Sequence, residues 1–212
     1  MDDYILTRGC YLYPTPAGAY HAVANHKKDA MRVFLLNLMQ LSESPQLTEK
    51  LLMELSGLDK DAALQMLYQL QRLGLLQGLD TPVTVSSETL ETVLPGKLKI
   101  LSGNKKSLLA DDQGFYIATY GFHHESAEEL AGLAAELSKT QARYAGLLAG
   151  NLNHQSAALG FINAAGQSDI GFWPVCIGEQ RFTLVLSGVP RFNKNEIVEL
   201  VWILVNRYGA KQ

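Results

Sequence analysis

The chain has 212 residues, 47% of them hydrophobic and 18% charged. That length fits one large or two small domains, and the composition excludes a disordered or fibrous chain. The formal net charge of -3 argues against a protein built mainly to neutralise nucleic-acid phosphates.

Cys10 and Cys176 are the two cysteines, too far apart to suggest a disulfide framework or a metal motif. No apolar run approaches the roughly 20 residues of a membrane span. The opening MDDYILTRGC is acidic and lacks the apolar core of a signal peptide. A cytoplasmic location is expected.

Residues 4–24 are expected to form a hairpin. Tyr4, Ile5, Leu6 and the stretch 10–13 are β-prone, Pro14, Pro16 and Gly18 supply turn chemistry, and 19–23 returns. Over 27–42, Met31, Phe34, Leu35, Leu38 and Leu41 recur at helical spacing. The pair Ser44 and Pro45 ends that helix. A short helix over 48–55 has Thr48 as N-cap and Gly57 as stop. A third, over 59–73, is capped by Asp59 and carries Ala63, Met66, Leu67, Leu70 and Leu73 on one face. Gly74 ends it, and Leu75, Leu76 and Gln77 start a strand.

Helix, short helix, glycine turn, helix and strand is the helix-turn-helix plan. The run SGLDKDAALQMLYQLQRLGLLQG resembles the core of winged-helix domains, in which a step such as Leu73, Gly74, Leu75 leads into the first wing strand. The light, Ser- and Thr-rich stretch DTPVTVSS (80–87) marks a boundary. The expected division is a winged-helix-like domain over 1–83 and an α/β domain over 84–212.

Residues 88–102 carry Leu90, Val93, Leu94, Leu98 and Leu101, but Pro95 and Gly96 predict a break in that helix. Two strands, 107–110 and 115–119, flank the turn residues Asp111, Asp112, Gln113 and Gly114. Ser126 and Glu129 have capping-box spacing. They predict a long helix over 127–149, with Leu130, Leu133, Leu137, Tyr144, Leu147 and Leu148 on its face. Strands follow over 157–163, 170–177 and 181–187. The last helix starts near Asn193, with Glu196 as capping partner and Ile197, Val201, Leu204, Val205 and Tyr208 as apolar positions.

The second half therefore reads helix, two strands, long helix, three strands, helix. Its short loops imply an antiparallel sheet with the helices set against its faces. The expected fold class is α+β, with a winged-helix-like N-terminal domain before a five-stranded antiparallel sheet and flanking helices. This order, the stretch SLLADDQGFYIATYG (107–121) and the helix beginning SAEELAGLAAEL together resemble the roadblock family, the dynein light-chain roadblock type. The resemblance implies dimers in which long helices pack together and middle strands pair. It also implies a non-catalytic adaptor or regulator of small GTPases or signalling complexes. Carried onto this chain, the homodimer surface includes Leu137, Tyr144, Ala158, Gly160 and Ile162. The segment SAALGFI (156–162) has no charge to protect a free strand edge, which independently favours pairing.

Chemical motifs are sparse. There is no phosphate loop, dinucleotide turn, His-Glu-x-x-His helix or Cys-x-x-Cys pair. No catalytic, metal or cofactor site is expected. His123, His124 and Glu125 read as a solvated loop, Trp173 and Trp202 as core or interface anchors, and Cys176 as a buried thiol with no histidine placed beside it.

DNA binding by a winged-helix regulator with a C-terminal dimerisation domain is the alternative. Lys60, Gln65, Tyr68 and Gln69 would be its contact residues on the third helix. Lys60 and Arg72 are balanced there by Asp59 and Asp61. Over 1–80, seven Lys or Arg face nine Asp or Glu, a net of -2. Phosphate affinity needs cations, so protein contact is the favoured use of this half. Lys27, Lys28 and Arg32 form its basic cluster.

Overall fold

The structure is a computed structural model that describes residue 6 and residues 9–26, 29–154 and 156–209. Tyr4, Ile5, Lys27 and Lys28, which belong to the expected hairpin and basic cluster, lie outside the described residues.

The hairpin expectation is overturned. Strand β1 (Tyr11–Pro14) is followed by helix α1 (Pro16–Val23), where a return strand was expected. The residues read as a turn are a helix start. Pro16 sits in the first turn, where its fixed φ and missing N–H cost nothing. Thr15 is the N-cap, its hydroxyl accepting from the Gly18 N–H at 3.1 Å. Ala19, Ala22 and Val23, spaced i, i+3, i+4, are all buried.

The next three helices follow the sequence pattern. In α2 (Ala30–Gln40), the Asp29 carboxylate accepts from the Arg32 N–H at 3.0 Å. In α3 (Glu49–Ser56), Thr48 Oγ1 accepts from the Leu51 N–H, and Gly57 stops the helix at φ 67°. In α4 (Lys60–Arg72), Asp59 caps through the Ala62 N–H. Strand β2 (Leu76–Leu79) follows, as the glycine step implies. It pairs antiparallel with β1, Tyr11 opposite Leu79. Among the described residues no second strand follows it to make a wing hairpin; Thr84 forms an isolated bridge to Glu43.

Helix α5 (Leu90–Leu101) corrects a second expectation, because it runs unbroken through Pro95. A proline inside a helix costs about 3 kcal/mol. Full burial of Leu90, Leu94, Leu98 and Leu101 along one stripe offsets this, at roughly 1.5–3 kcal/mol for each leucine.

Strands β3 (Ser107–Asp111) and β4 (Tyr116–Tyr120) turn at Asp111, whose carboxylate accepts from the Gln113 and Phe115 N–H groups. After helix α6 (His124–Arg143) and a π-helical turn (Gly146–Asn151) come β5 (Leu159–Ile162), β6 (Ser168–Ile177) and β7 (Gln180–Ser187). As expected, the five strands form one antiparallel sheet, and its order is β4-β3-β7-β6-β5.

Strand alternation gives the sheet two buried faces. Leu108, Ala110, Phe172 and Val185 meet α6 on one side. Leu109, Val175, Phe182, Leu184 and Leu186 belong to the larger core on the other.

Three details of α6 depart from expectation, the first being that it ends at Arg143, short of 149, before the π-helical turn. The helix begins at His124, before the predicted capping box, and His123 is an N-cap without a side-chain bond. Ser126 lies inside the first turn. The buried stripe is also the alanines, Ala127, Ala131, Ala134 and Ala135, while Leu130, Leu133 and Leu137 are half-buried. Small side chains let the helix sit close on the sheet and turn the leucines to its flanks.

Helix α7 (Glu196–Tyr208) starts after Asn195, and no Asn193 to Glu196 capping box forms. Every residue from Ile197 to Val205 except Glu199 is buried. Burial all round marks a central helix. It packs against α5 and β6 and, from the other half of the chain, against α1 and α2. Its polar side chains complete the end of α2. Trp202 Nε1 donates to the Leu41 carbonyl at 2.8 Å, and Asn206 Nδ2 donates to the Met39 carbonyl at 2.6 Å. Those carbonyls would otherwise end the helix unpaired. Tyr13 adds a hydroxyl bond to Asn195 Oδ1 at 2.9 Å and an edge-on contact with Trp202. The two halves share one core.

Candidate functional site

The outer edge of β5 is the most conspicuous surface. The strand is last in the sheet order, so its far side has no neighbour among the described residues. All four of its residues are exposed, including Phe161 at 51% and Ile162 at 70%. None carries charge. A register shift between Phe161 and Ile162 bends the strand. Phe161 stands edge-on to Phe172 at 5.8 Å, so one ring remains in the core while the other faces outward. A Cβ at Gly160 would fall 2.8 Å from the Ser168 hydroxyl, a tight fit that suits glycine there.

The end of α6 extends this surface. Gln141 Nε2 donates to the Ala157 carbonyl at 2.7 Å and ties the helix to the approach of β5. Beyond it Tyr144, Leu147 and Leu152 are exposed. Of the sequence-derived set, Tyr144, Gly160 and Ile162 are exposed, and Leu137 and Ala158 are half-buried. The structure adds Leu159, Phe161, Leu147 and Leu152. Leu159 and Phe161 alternate on one side of the strand, a signal present in the sequence. Leu147, expected on the face of the long helix, lies in the π-helical turn, and Leu152 is its cap.

The other candidate surface is the outer side of α4. Gln65, Tyr68 and Gln69 are exposed there. Lys60 is engaged by Glu49 of α3 at 2.9 Å, and that contact raises its pKa. The cation best placed to meet phosphate is thus matched by a carboxylate.

His124 is held by the Tyr116 hydroxyl at 2.8 Å and faces Glu128 at 3.5 Å. Among the described residues, no group of three or more His, Cys, Asp or Glu side chains is placed to hold a metal ion. Nor is any helix there long and apolar enough to cross a membrane.

Cys176 is a buried free thiol, as expected. Cys176, His26 and His154 line one cavity, with Arg181. Burial pushes the Cys176 thiol up, against a smaller downward pull from Arg181 and Arg32. A protonated thiol is a poor nucleophile.

Fold and surface together define an α+β protein with a five-stranded antiparallel sheet, an uncharged edge strand and helices on both faces. No family model and no curated protein matches the chain. Among solved structures, it is similar to a Roadblock/LC7 domain from Streptomyces avermitilis. That match has 14% identity, covers 57% of this chain and 93% of the other, and has a TM-score of 0.36. It is also similar to MglB of Myxococcus xanthus, at 17% identity, covering 58% and 94%, with a TM-score of 0.33.

Proposed function

We propose that this chain is a dimeric, non-catalytic adaptor or regulator of roadblock type, working on a small GTPase or signalling complex in the cytoplasm. In this reading residues 84–212 form the roadblock-like unit, and residues 1–83 form a winged-helix-like unit used for protein contact. The open β5 edge carries the proposal. Exposed, uncharged strand edges pair with another chain unless something covers them, and two copies of β5 would join two sheets into one. Leu137, Tyr144, Ala158, Gly160 and Ile162 would lie in that contact, with Phe161 and Leu147 beside them. The role toward a GTPase follows from the sequence resemblance of 107–121 and of the α6 start.

Analytical ultracentrifugation at micromolar concentration tests the dimer. The native chain should sediment as a dimer and Ile162→Lys as a folded monomer. A native monomer, or an Ile162→Lys variant that still dimerises, would overturn it.

Exposure of Gln65, Tyr68 and Gln69 keeps DNA binding as a second reading. Binding of a random duplex at low salt, where counterion release is strongest, would favour it. No anisotropy change under those conditions would end it.

A further inference from the structure

A cavity of about 270 Å³ opens on the α6 side of the sheet, past the end of the alanine stripe. Its origin is local. Ala127 to Ala135 hold α6 close to the strands, then the helix ends at Arg143 and the backbone widens into a π-helical turn. The space beneath is walled by Ala142, Ala145, Leu148, Ala149, Ala157 and Pro174.

One end of the cavity is polar. Arg181 of β7 donates from Nε to His26 Nε2 at 3.1 Å and from Nη1 to Ser138 Oγ at 3.3 Å. Its Nη2 has no hydrogen-bond partner among the described residues. No carboxylate lies within salt-bridge distance of Arg181 among them, and no Asp or Glu lines this cavity. Burial and then Arg181 itself lower the His26 pKa, so near neutral pH the imidazole is an uncharged acceptor that orients the guanidinium. Asp112 and Glu179 line an adjoining cleft that shares Arg181, His26, Ser138 and Ala142 with the cavity and also holds Lys139.

A mostly apolar cavity with one oriented guanidinium, beside Gln141 and His154, in its described lining is complementary to a monocarboxylate with a hydrocarbon body. Arginine binds carboxylates through paired N–H groups, and ligand pockets combine apolar walls with few polar groups. An apolar cavity of about 150 Å³ holds one benzene ring, so this one has room for about ten non-hydrogen atoms. We propose that the cavity between α6, the π-helical turn and β7 is a binding site for a medium-chain aliphatic carboxylate, held at Arg181. The cavity lies beside the approach of β5, sharing Gln141 and Ala157 with it, and its ligand chemistry follows from the cavity lining alone.

Isothermal titration of the full chain with octanoate tests this, with octylamine and acetate as comparison probes. Octanoate should bind saturably at one site per chain. Acetate, lacking the body, and octylamine, with the opposite charge, should each bind at least about tenfold more weakly. Arg181→Met keeps the side-chain volume without the charge and should weaken octanoate by about tenfold or more. Ala145→Phe should fill the chamber and abolish binding while leaving Arg181 in place. Circular dichroism melts identify any variant that fails to fold, and the other variant then carries the comparison. Absence of saturable octanoate binding, equal binding of octylamine, or unchanged affinity in both folded variants would overturn the proposal.

Discussion

Gly18 shows how one residue fixes the meeting of two elements. A Cβ there would lie 1.8 Å from the Leu75 carbonyl oxygen, a backbone atom that cannot rotate away. That same carbonyl accepts from the Thr15 N–H at 3.1 Å, and Thr15 Oγ1 donates to the Gly74 carbonyl. The start of α1 is therefore pressed directly on the start of β2. Gly18→Ala should cost about 3 kcal/mol, at the upper end for overpacking, measured as a fall in the urea midpoint. A loss below about 1 kcal/mol would show that α1 moves aside easily. The sequence displayed Gly18 among turn residues, and nothing local revealed that its reason is contact with a segment near residue 75. Thr48, Asp59 and Gly57 were legible because capping is settled within four residues of chain.

At the scale of elements, regular periodicity was readable and its interruptions were not. Pro95 and Gly96 look like a break, yet α5 continues because its four leucines are anchored in the shared core. Gly96 is exposed, and a Cβ there would meet nothing within 4 Å. Gly96→Ala should stabilise the protein by about 0.5–1 kcal/mol through lower unfolded-state entropy and better helix propensity. Chemical denaturation would detect this, and a destabilised variant would contradict the account of α5 as an ordinary helix at that position. In α6 the leucine spacing was visible, but alanines face the sheet. Spacing identifies a stripe, and only packing distance decides which stripe goes inward. The β5 edge was legible from composition alone. The Arg181 cavity was not, since Arg181 and His26 stand 155 residues apart.

For the whole molecule, protonation links the two halves. Burial, with Arg32 beside His21 and Arg181 beside His26, lowers both histidine pKa values below the ordinary 6.5. The folded chain then binds protons less readily than the unfolded one. Stability from these groups is complete above pH 6.5 and falls as pH drops through the depressed native values. The Asp29 carboxyl adds a later loss. Burial pushes it up, but the Arg32 N–H and guanidinium outweigh that and hold it below 3.8. Urea unfolding from pH 7.5 to 5 should show the histidine decline, shallower in a His26→Gln variant. A flat profile would mean both imidazoles titrate as they do in the unfolded chain.

The interior of α7 has a further consequence for how the protein is made. Leu41 and Trp202 are bonded across 161 residues, so when α2 leaves the ribosome its lid has yet to be synthesised. Although α1 and α3 pack on α2 early, the α7 side of α2 must wait through most of translation. Such long-range closure slows folding and exposes the nascent chain to aggregation or chaperone capture.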